Sequence, residues 1–298
     1  METLFRGFRR ANGLVGSRDY RLALPSVVCA NWAAVKAAEL SPGAIAVEHP
    51  LGCAQIGSDY EQTLRVLCGI AVHPNVNTAV VIGLGCEGVP ARRIQQAAAE
   101  RGRIVACQLI QEQGGAEPAA SLAATALNAA CKSTREPFGL ADLVLGVGDI
   151  ARLGPMGRAV LVEFSARGGR VLQAGEDPGG SARMPYGEPL PSWRTRGWMR
   201  AGAGDSETVN GLVASGAQIV LAQADARHLG GHPICPVVRI GYDERLRAAL
   251  SDDCDGYLAE RTVAGWVDYV VAAASGSPVV SEVTGSALFA IARTGPTL

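Results

Sequence analysis

Two short stretches, "HPLGCAQIG" at 49–57 and "VIGLGCEG" at 81–88, each set a cysteine behind a glycine and behind an apolar run. Glycine there lets the backbone turn sharply or approach a ligand closely. A thiolate in such a loop can bind a soft divalent metal, or sit under a helix N-terminus that lowers its pKa. His49 lies in the same loop as Cys53, at a spacing that suits two ligands of one ion. The structural alternative is that Cys53 and Cys86 are small buried hydrophobes and His49 a satisfied turn residue before Pro50. Cys29, in "VVCAN", stands between the two readings. Glu87 and Glu112 add carboxylates: removing a proton from a carbon beside a carboxylate needs a base and a cation to hold the enediolate, which a glutamate beside a divalent metal supplies. Each is equally a helix N-terminal charge. His228 and His232 bracket "LGG" and are acid/base groups or ordinary loop residues, while His73, before Pro74 at a helix end, reads as a dipole partner.

The elements that must position these residues follow from hydrophobic patterning. Apolar runs at 20–28, 43–49, 77–85, 102–110, 142–148, 169–175, 217–223 and 236–240 read as strands buried on both faces. Helical segments are expected at 31–39, 59–72, 90–101, 117–133, 154–168, 205–215, 243–251 and 262–275. Ser58 and Asp59 mark one helix start, Asp205 another, and Gly102 and Gly216 mark helix ends. Strand alternating with helix predicts an α/β fold of layered, Rossmann-like parallel sheets flanked by helices. Two sub-domains are expected, 1–135 and 136–298, the second with an irregular Gly- and Pro-rich loop at 175–204. Ligands of open α/β sheets bind beyond the carboxyl ends of the strands. The polar clusters Cys29–Asn31, His49–Gln55, Gly85–Glu87 and Gln111–Gly115 all fall at such ends of the first four strands. Cys68, Cys107 and Cys131 fall inside elements instead and read as buried hydrophobes.

Bulk properties exclude several classes. Lys and Arg number 27 against 28 Asp and Glu, so no long-range field attracts nucleic acid or an anionic membrane. No apolar stretch is long enough to span a bilayer, and the first residues lack the apolar core of a signal peptide, so a cytoplasmic location is expected. Eight scattered cysteines in 298 residues are expected to be thiols. Gly83, Gly85 and Gly88 match GxGxxG spacing, but Cys86-Glu87 put an acid where a pyrophosphate would sit, so neither NAD nor another nucleotide is expected.

The stretches 7–31, 49–88, 109–115 and 204–240 resemble the altronate and galactarate dehydratases and the large subunit of sulfolactate sulfo-lyase. The resemblance implies a lyase of the hydro-lyase type. It would eliminate water or a similar β-leaving group from a small hydroxy acid, helped by a divalent metal, iron first with manganese or zinc as alternatives. It implies metal ligands among Cys29, His49, Cys53 and Cys86, and substrate contacts from Asn31, Gln55, Gln111, Gly114 and Gly115. Proton transfer would fall to Glu87 and Glu112, with His228 a third acid/base candidate. The sequence departs from the family after the fifth strand, where "LVLGVGDIARLGPMG" carries no Glu-Cys-Gly-Gly-Ser-Asp element. The region expected before the later Gly-Asn-Asp-like segment is collapsed into 175–204, and the family's small domain has no counterpart. The expected partners are therefore a small carboxylic-acid substrate and either a second copy of the chain or a small accessory subunit. Two other functions fit the same residues: a non-catalytic descendant that binds a small acid or a protein, and a different enzyme using Cys53 as a nucleophile activated by His49 or His228.

Overall fold

Runs of aliphatic residues without polar alternation have to be covered on both faces. In the computed structural model, which describes residues 2–131, 133–148, 154–176, 182–192 and 194–295, they are. The strands of the first half are β1 (Leu4–Arg9), β2 (Val15–Gly16), β3 (Tyr20–Pro25), β4 (Ala44–Ala46), β5 (Val76–Gly83) and β6 (Ala106–Leu109), and its helices are α1 (Asn31–Glu39), α2 (Gly57–Ala71), α3 (Ala91–Glu100) and α4 (Ala116–Asn128). The second half carries β7 (Glu136–Gly139), β8 (Val144–Val147), β9 (Arg170–Ala174), β10 (Arg196–Met199), β11 (Ile219–Ala224) and β12 (Val237–Gly241), with α5 (Gly154–Ala166), α6 (Asp205–Ala214), α7 (Arg247–Leu250), α8 (Val263–Ala274) and α9 (Val280–Val283). No helix among the described residues is long and apolar enough to cross a membrane.

Two all-parallel sheets dominate, in the orders β4-β3-β5-β6 and β10-β9-β8-β11-β12. Numbered within each sheet these are 2-1-3-4 and 3-2-1-4-5, the doubly wound pattern in which the strand order reverses once and a crevice opens at the carboxyl edge. Leu22 and Leu24 of β3 face one core and Ala23 another, as the two-residue period of a strand dictates. The Ala23 side packs on the alanine-rich faces of α1 and α4. The Leu22 side shares a single core with Val144, Leu172 and Val220 of the second sheet, through α2 and α6. The outer face of the second sheet packs on Val160, Phe164 and Trp266 of α5 and α8.

All eight expected strands are present, with ends shifted by a few residues. Sequence patterning misses β1, in which arginines alternate with Phe5 and Phe8, and β10, which forms the edge of the second sheet inside the supposedly irregular 175–204 segment. The helix expected at 243–251 is a 3-10 turn, Glu244–Leu246, followed by the single turn of α7. The chain also crosses its expected boundary twice. β1 pairs antiparallel with β7, and Phe5 enters the core of the second sheet. The segment near the C-terminus returns to α2, where Thr294 N–H donates to Asp59 at 2.6 Å.

Three of the four histidines precede proline and share one geometry. The ring Nδ1 of His49, His73 and His232 accepts the backbone N–H two residues on, from Leu51 (3.2 Å), Asn75 (3.1 Å) and Ile234 (3.3 Å). Each Nε2–H then donates away from the loop, to Pro25 O (2.9 Å), Ala217 O (3.0 Å) and Asn210 Oδ1 (2.9 Å) respectively. These neighbours fix a neutral tautomer with no nitrogen to spare. The ring of Phe289 lies against both His49 and His232. Burial lowers the pKa of His49, and pushes His73 and His232 down to about 3.

Unfolded, each histidine takes up a proton near pH 6.5, whereas folded it stays neutral. Their contribution to stability is therefore full above about pH 6.5 and is lost as the pH falls, by roughly a few kcal/mol each for His73 and His232 at pH 4. Urea unfolding followed from pH 7.5 to 4 checks this. The expected result is a steady fall below about pH 6.5 whose slope is shallower in His232→Gln.

Candidate active-site crevice

The carboxyl edge of the first sheet is assembled by loops that tie to one another. After β3 a 3-10 turn, Val28–Ala30, exposes Cys29 and leads into α1, whose Asn31 donates its side-chain N–H to His49 O at 3.1 Å. The 50–56 loop folds across the end of β3: Val28 N–H donates to Leu51 O (2.9 Å) and Val89 N–H to Gly52 O (3.1 Å). Gly52 has φ +97°, and a Cβ there would lie 2.2 Å from Ser26 O, so only glycine lets the loop descend this far. Gln55 locks it, accepting Gly52 N–H (3.0 Å) and donating to Thr63 Oγ1 (3.0 Å). Between them Ala54 takes φ +53°, a left-handed conformation that a side chain adopts at a cost. That bend leaves the Cys53 thiol exposed.

The second loop is built around Glu87. Its carboxylate accepts N–H groups from Gly85 (2.5 Å) and Ala91 (3.3 Å) and the hydroxyl of Ser26 (3.1 Å). Burial alone would raise its pKa, but these donors together with its own N–H hold it below the usual carboxylate value. Cys86 is exposed beside it. The two cysteine loops lie side by side, since a Cβ on Gly88 would stand 3.4 Å from Gly52 O and 3.9 Å from Ala54 N. Gln111, exposed at the end of β6, fills the space that a side chain at Gly85 would need. Glu112 is exposed and holds one partner, Arg92 on the first turn of α3, at 2.6 and 2.7 Å. Gly114 and Gly115, with φ +77° and +143°, turn the chain into α4.

The structure thus gathers Cys29, Asn31, His49, Cys53, Gln55, Cys86, Glu87, Gln111, Glu112, Gly114 and Gly115 on one sheet edge, in unequal roles. Asn31, His49, Gln55 and Glu87 spend their polar atoms on the loops themselves. Cys29, Cys53, Cys86, Gln111 and Glu112 face solvent. His228 is elsewhere: it follows β11 in the second sheet, with Nδ1 3.0 Å from Asp225 Oδ2. Cys131 is exposed rather than buried, because α4 ends at Asn128. Cys68 and Cys107 do behave as apolar residues, burial raising each thiol to about 11. Reasoning from sequence missed Asp59 and Arg293, which line a cavity of about 360 Å³ beside Cys53 together with Leu51 and Gln55. Asp59 and Thr294 are 235 residues apart, so no local signal links them.

A metal centre needs at least three protein donors turned to one point. Among the described residues no three His, Cys, Asp or Glu side chains are so placed. Both nitrogens of His49 are engaged and the oxygens of Glu87 are saturated with donors, which leaves two soft thiols on adjoining loops and Cys29 on a third. As placed, this set does not fit the expected ion. Residues 149–153, Asp-Ile-Ala-Arg-Leu, where the resemblance would place a further cysteine, carry no soft ligand and lie outside the described residues.

A doubly wound domain with its polar loops at one carboxyl edge is a frame for a ligand site, and the chain is similar to known proteins. Residues 7–134 match the D-galactarate dehydratase/altronate hydrolase second domain. Altronate dehydratase of Bacillus subtilis is 35% identical over 103 residues, covering 31% of this chain and 21% of that protein. Altronate dehydratase of Escherichia coli is 31% identical over 154 residues, covering 47% and 31%. The (2R)-sulfolactate sulfo-lyase subunit beta of Chromohalobacter salexigens is 40% identical over 80 residues, covering 27% and 21%. The chain thus spans between a fifth and a third of the length of these curated relatives.

The two carboxylates are predicted to differ sharply in what they hold. Glu87→Ala strands three donors and is expected to cost about 2 kcal/mol, whereas Glu112→Ala, which removes an exposed ion pair, should change stability by less than about 0.5 kcal/mol. Urea midpoints of the two variants check this.

Proposed function

We propose that this chain is a lyase of the dehydratase type, acting on a small hydroxy acid in the crevice at the carboxyl edge of the first sheet. The observation that carries the reading is the concentration, within the segment shared with dehydratases and a sulfo-lyase, of two exposed thiols on touching loops beside an exposed Arg92–Glu112 pair. A substrate carboxylate competes with Glu112 for Arg92. Its binding releases Glu112, which then takes the proton from the carbon beside that carboxylate. From a 2,3-dihydroxy acid the β-hydroxyl leaves as water, taking its proton from solvent, and the resulting enol tautomerises to a 2-keto acid while Glu112 returns its proton to solvent. Glu87, pinned by its donors and ionised, positions the Cys86 loop and moves no proton. Cys53 and Cys86 bound the substrate on the opposite side.

Metal assistance by iron, manganese or zinc would require a third donor to join these thiols. The same edge exposes Val28, Trp32 and Ile56, apolar groups that a second copy or a small accessory chain would cover. The metal and the partner are therefore one question: the partner would have to complete the ligand set. A specific observation also favours a second reading, a non-catalytic descendant that binds a small acid. His49, Gln55 and Glu87 are all consumed in loop structure, which leaves few groups for chemistry.

The two readings separate on variants. Glu112→Gln and the pair Cys53→Ser with Cys86→Ser are expected to abolish 2-keto acid formation from small hydroxy acids while leaving the melting temperature near that of the wild type. Retained turnover in both would remove the proposed site. Elemental analysis of the anaerobically purified chain alone is expected to find well under one transition metal ion per chain. A stoichiometric ion lost in the cysteine variants would show that a third ligand is already present.

A further inference from the structure

The two sheets share a cavity at their other ends, away from the proposed lyase crevice. About 380 Å³ in volume, it lies where the amino ends of β5, β8, β9 and β11 meet the last turns of α2 and α6. Leu14, Val72, Val144, Leu190 and Ala214 give it largely apolar walls. A Cβ on Gly216 would meet nothing within 4 Å, so the space extends over that peptide. Sites for small ligands combine such walls with a few polar groups that fix orientation.

Most polar groups around this cavity are spent on the fold. Both nitrogens of His73 are engaged. Gln218 donates to Val15 O and Asp142 O and accepts Val144 N–H, each at 2.6 Å, and Asn12 donates to Arg101 O at 3.1 Å. The carbonyls that end α2 and α6 accept capping N–H groups: Cys68 O from Val72, Ile70 O from His73, Gly211 O from Ser215 and Val213 O from Gly216. What stays uncommitted is positive charge. Arg170 gives Nε and Nη2 to the carbonyls of Arg194, Leu190 and Pro191, and Nη1 to no described residue. Arg101, just past the end of α3, forms no side-chain hydrogen bond or ion pair among the described residues. Its Nη1 is enclosed by protein, and the remainder of the part-exposed side chain borders the cavity. Against these two cations stands one carboxylate on the lining, Asp142, which is exposed. Of the 189–194 segment alongside, only Trp193 lies outside the described residues, and tryptophan adds no charge. The cavity is therefore apolar with an excess of positive charge, and buried or half-buried charge favours a counter-ion.

We propose that this cavity binds a small monocarboxylate with an apolar body, an aromatic or short-chain aliphatic acid, whose charge is met by Arg101 and whose body lies on Leu14, Val72 and Leu190. Such a ligand touches the ends of both α2 and α6 and so bridges the two sheets. The site is independent of the lyase reading.

Saturation-transfer NMR and calorimetry on the full chain, with benzoate, hexanoate, benzyl alcohol, benzylamine and glycolate as probes, test it. The expected result is saturable binding of benzoate or hexanoate, tighter than that of the alcohol, the amine or the polar acid glycolate. Arg101→Met should weaken the bound carboxylate on the order of tenfold and remove its advantage over benzyl alcohol. Its ligand-free melting temperature should equal the wild type's or rise, because an unpaired enclosed nitrogen has been removed. Leu14→Trp, a change at an exposed position that fills the cavity, should abolish binding. Arg92→Met should leave binding unchanged, which separates this site from the lyase crevice. The proposal is overturned by absence of binding to both apolar carboxylates, by equal or tighter binding of the alcohol, the amine or glycolate, by undiminished binding in Arg101→Met or Leu14→Trp, or by loss of binding in Arg92→Met.

Discussion

The close approach of α2 to α6 is the constraint on which the rest of the structure depends. A Cβ on Gly69 would lie 2.2 Å from the carbonyl oxygen of Ala214, so the two helices touch backbone to backbone. Each helix also covers a sheet, and the contact therefore joins the inner faces of both sheets into one core running from Leu22 and Leu24 to Leu172 and Val220. His73 and Asn75, in the turn after α2, reinforce this joint through Ala217 O and Gln218 O at the start of β11. A protein whose halves share a core in this way has two carboxyl edges fixed in one frame. Each edge can carry a crevice.

Much of that frame was legible in the sequence. Uninterrupted apolar runs gave the strands of both parallel sheets, because strands buried on two faces carry an unambiguous signal. Positions following strand ends then placed the polar clusters on the correct edge. What escaped was structure whose cause is distant. β1, the middle strand of a small antiparallel sheet, and β10, an edge strand, are interrupted by arginine and glycine and are paired with β7 and β9 far along the chain. Asp59 and Arg293 meet only because the final segment returns across α2.

Residue type proved a weaker guide to role than residue surroundings. His49 and Glu87 have the chemistry of ligand and base, yet each is enclosed by donors and acceptors that assign it to the loops. A local clue for His49 was available, since "HPL", "HPN" and "HPI" recur and proline fixes the chain so that the next N–H turns back on the imidazole. Glu112 has less apparent distinction in sequence, yet it stands exposed at the crevice with Arg92 as its partner. His228 follows a strand end, as expected, and that strand belongs to the second sheet.

The central claim is that the first crevice labilises the proton next to a carboxylate. The most direct test is proton NMR of the purified chain in D2O with a panel of small 2,3-dihydroxy acids, following the signal of that carbon-bound proton. The account predicts its loss for at least one acid, through exchange or conversion to a 2-keto acid, at a rate proportional to protein concentration. A folded protein that leaves every acid of the panel at the buffer rate contradicts it.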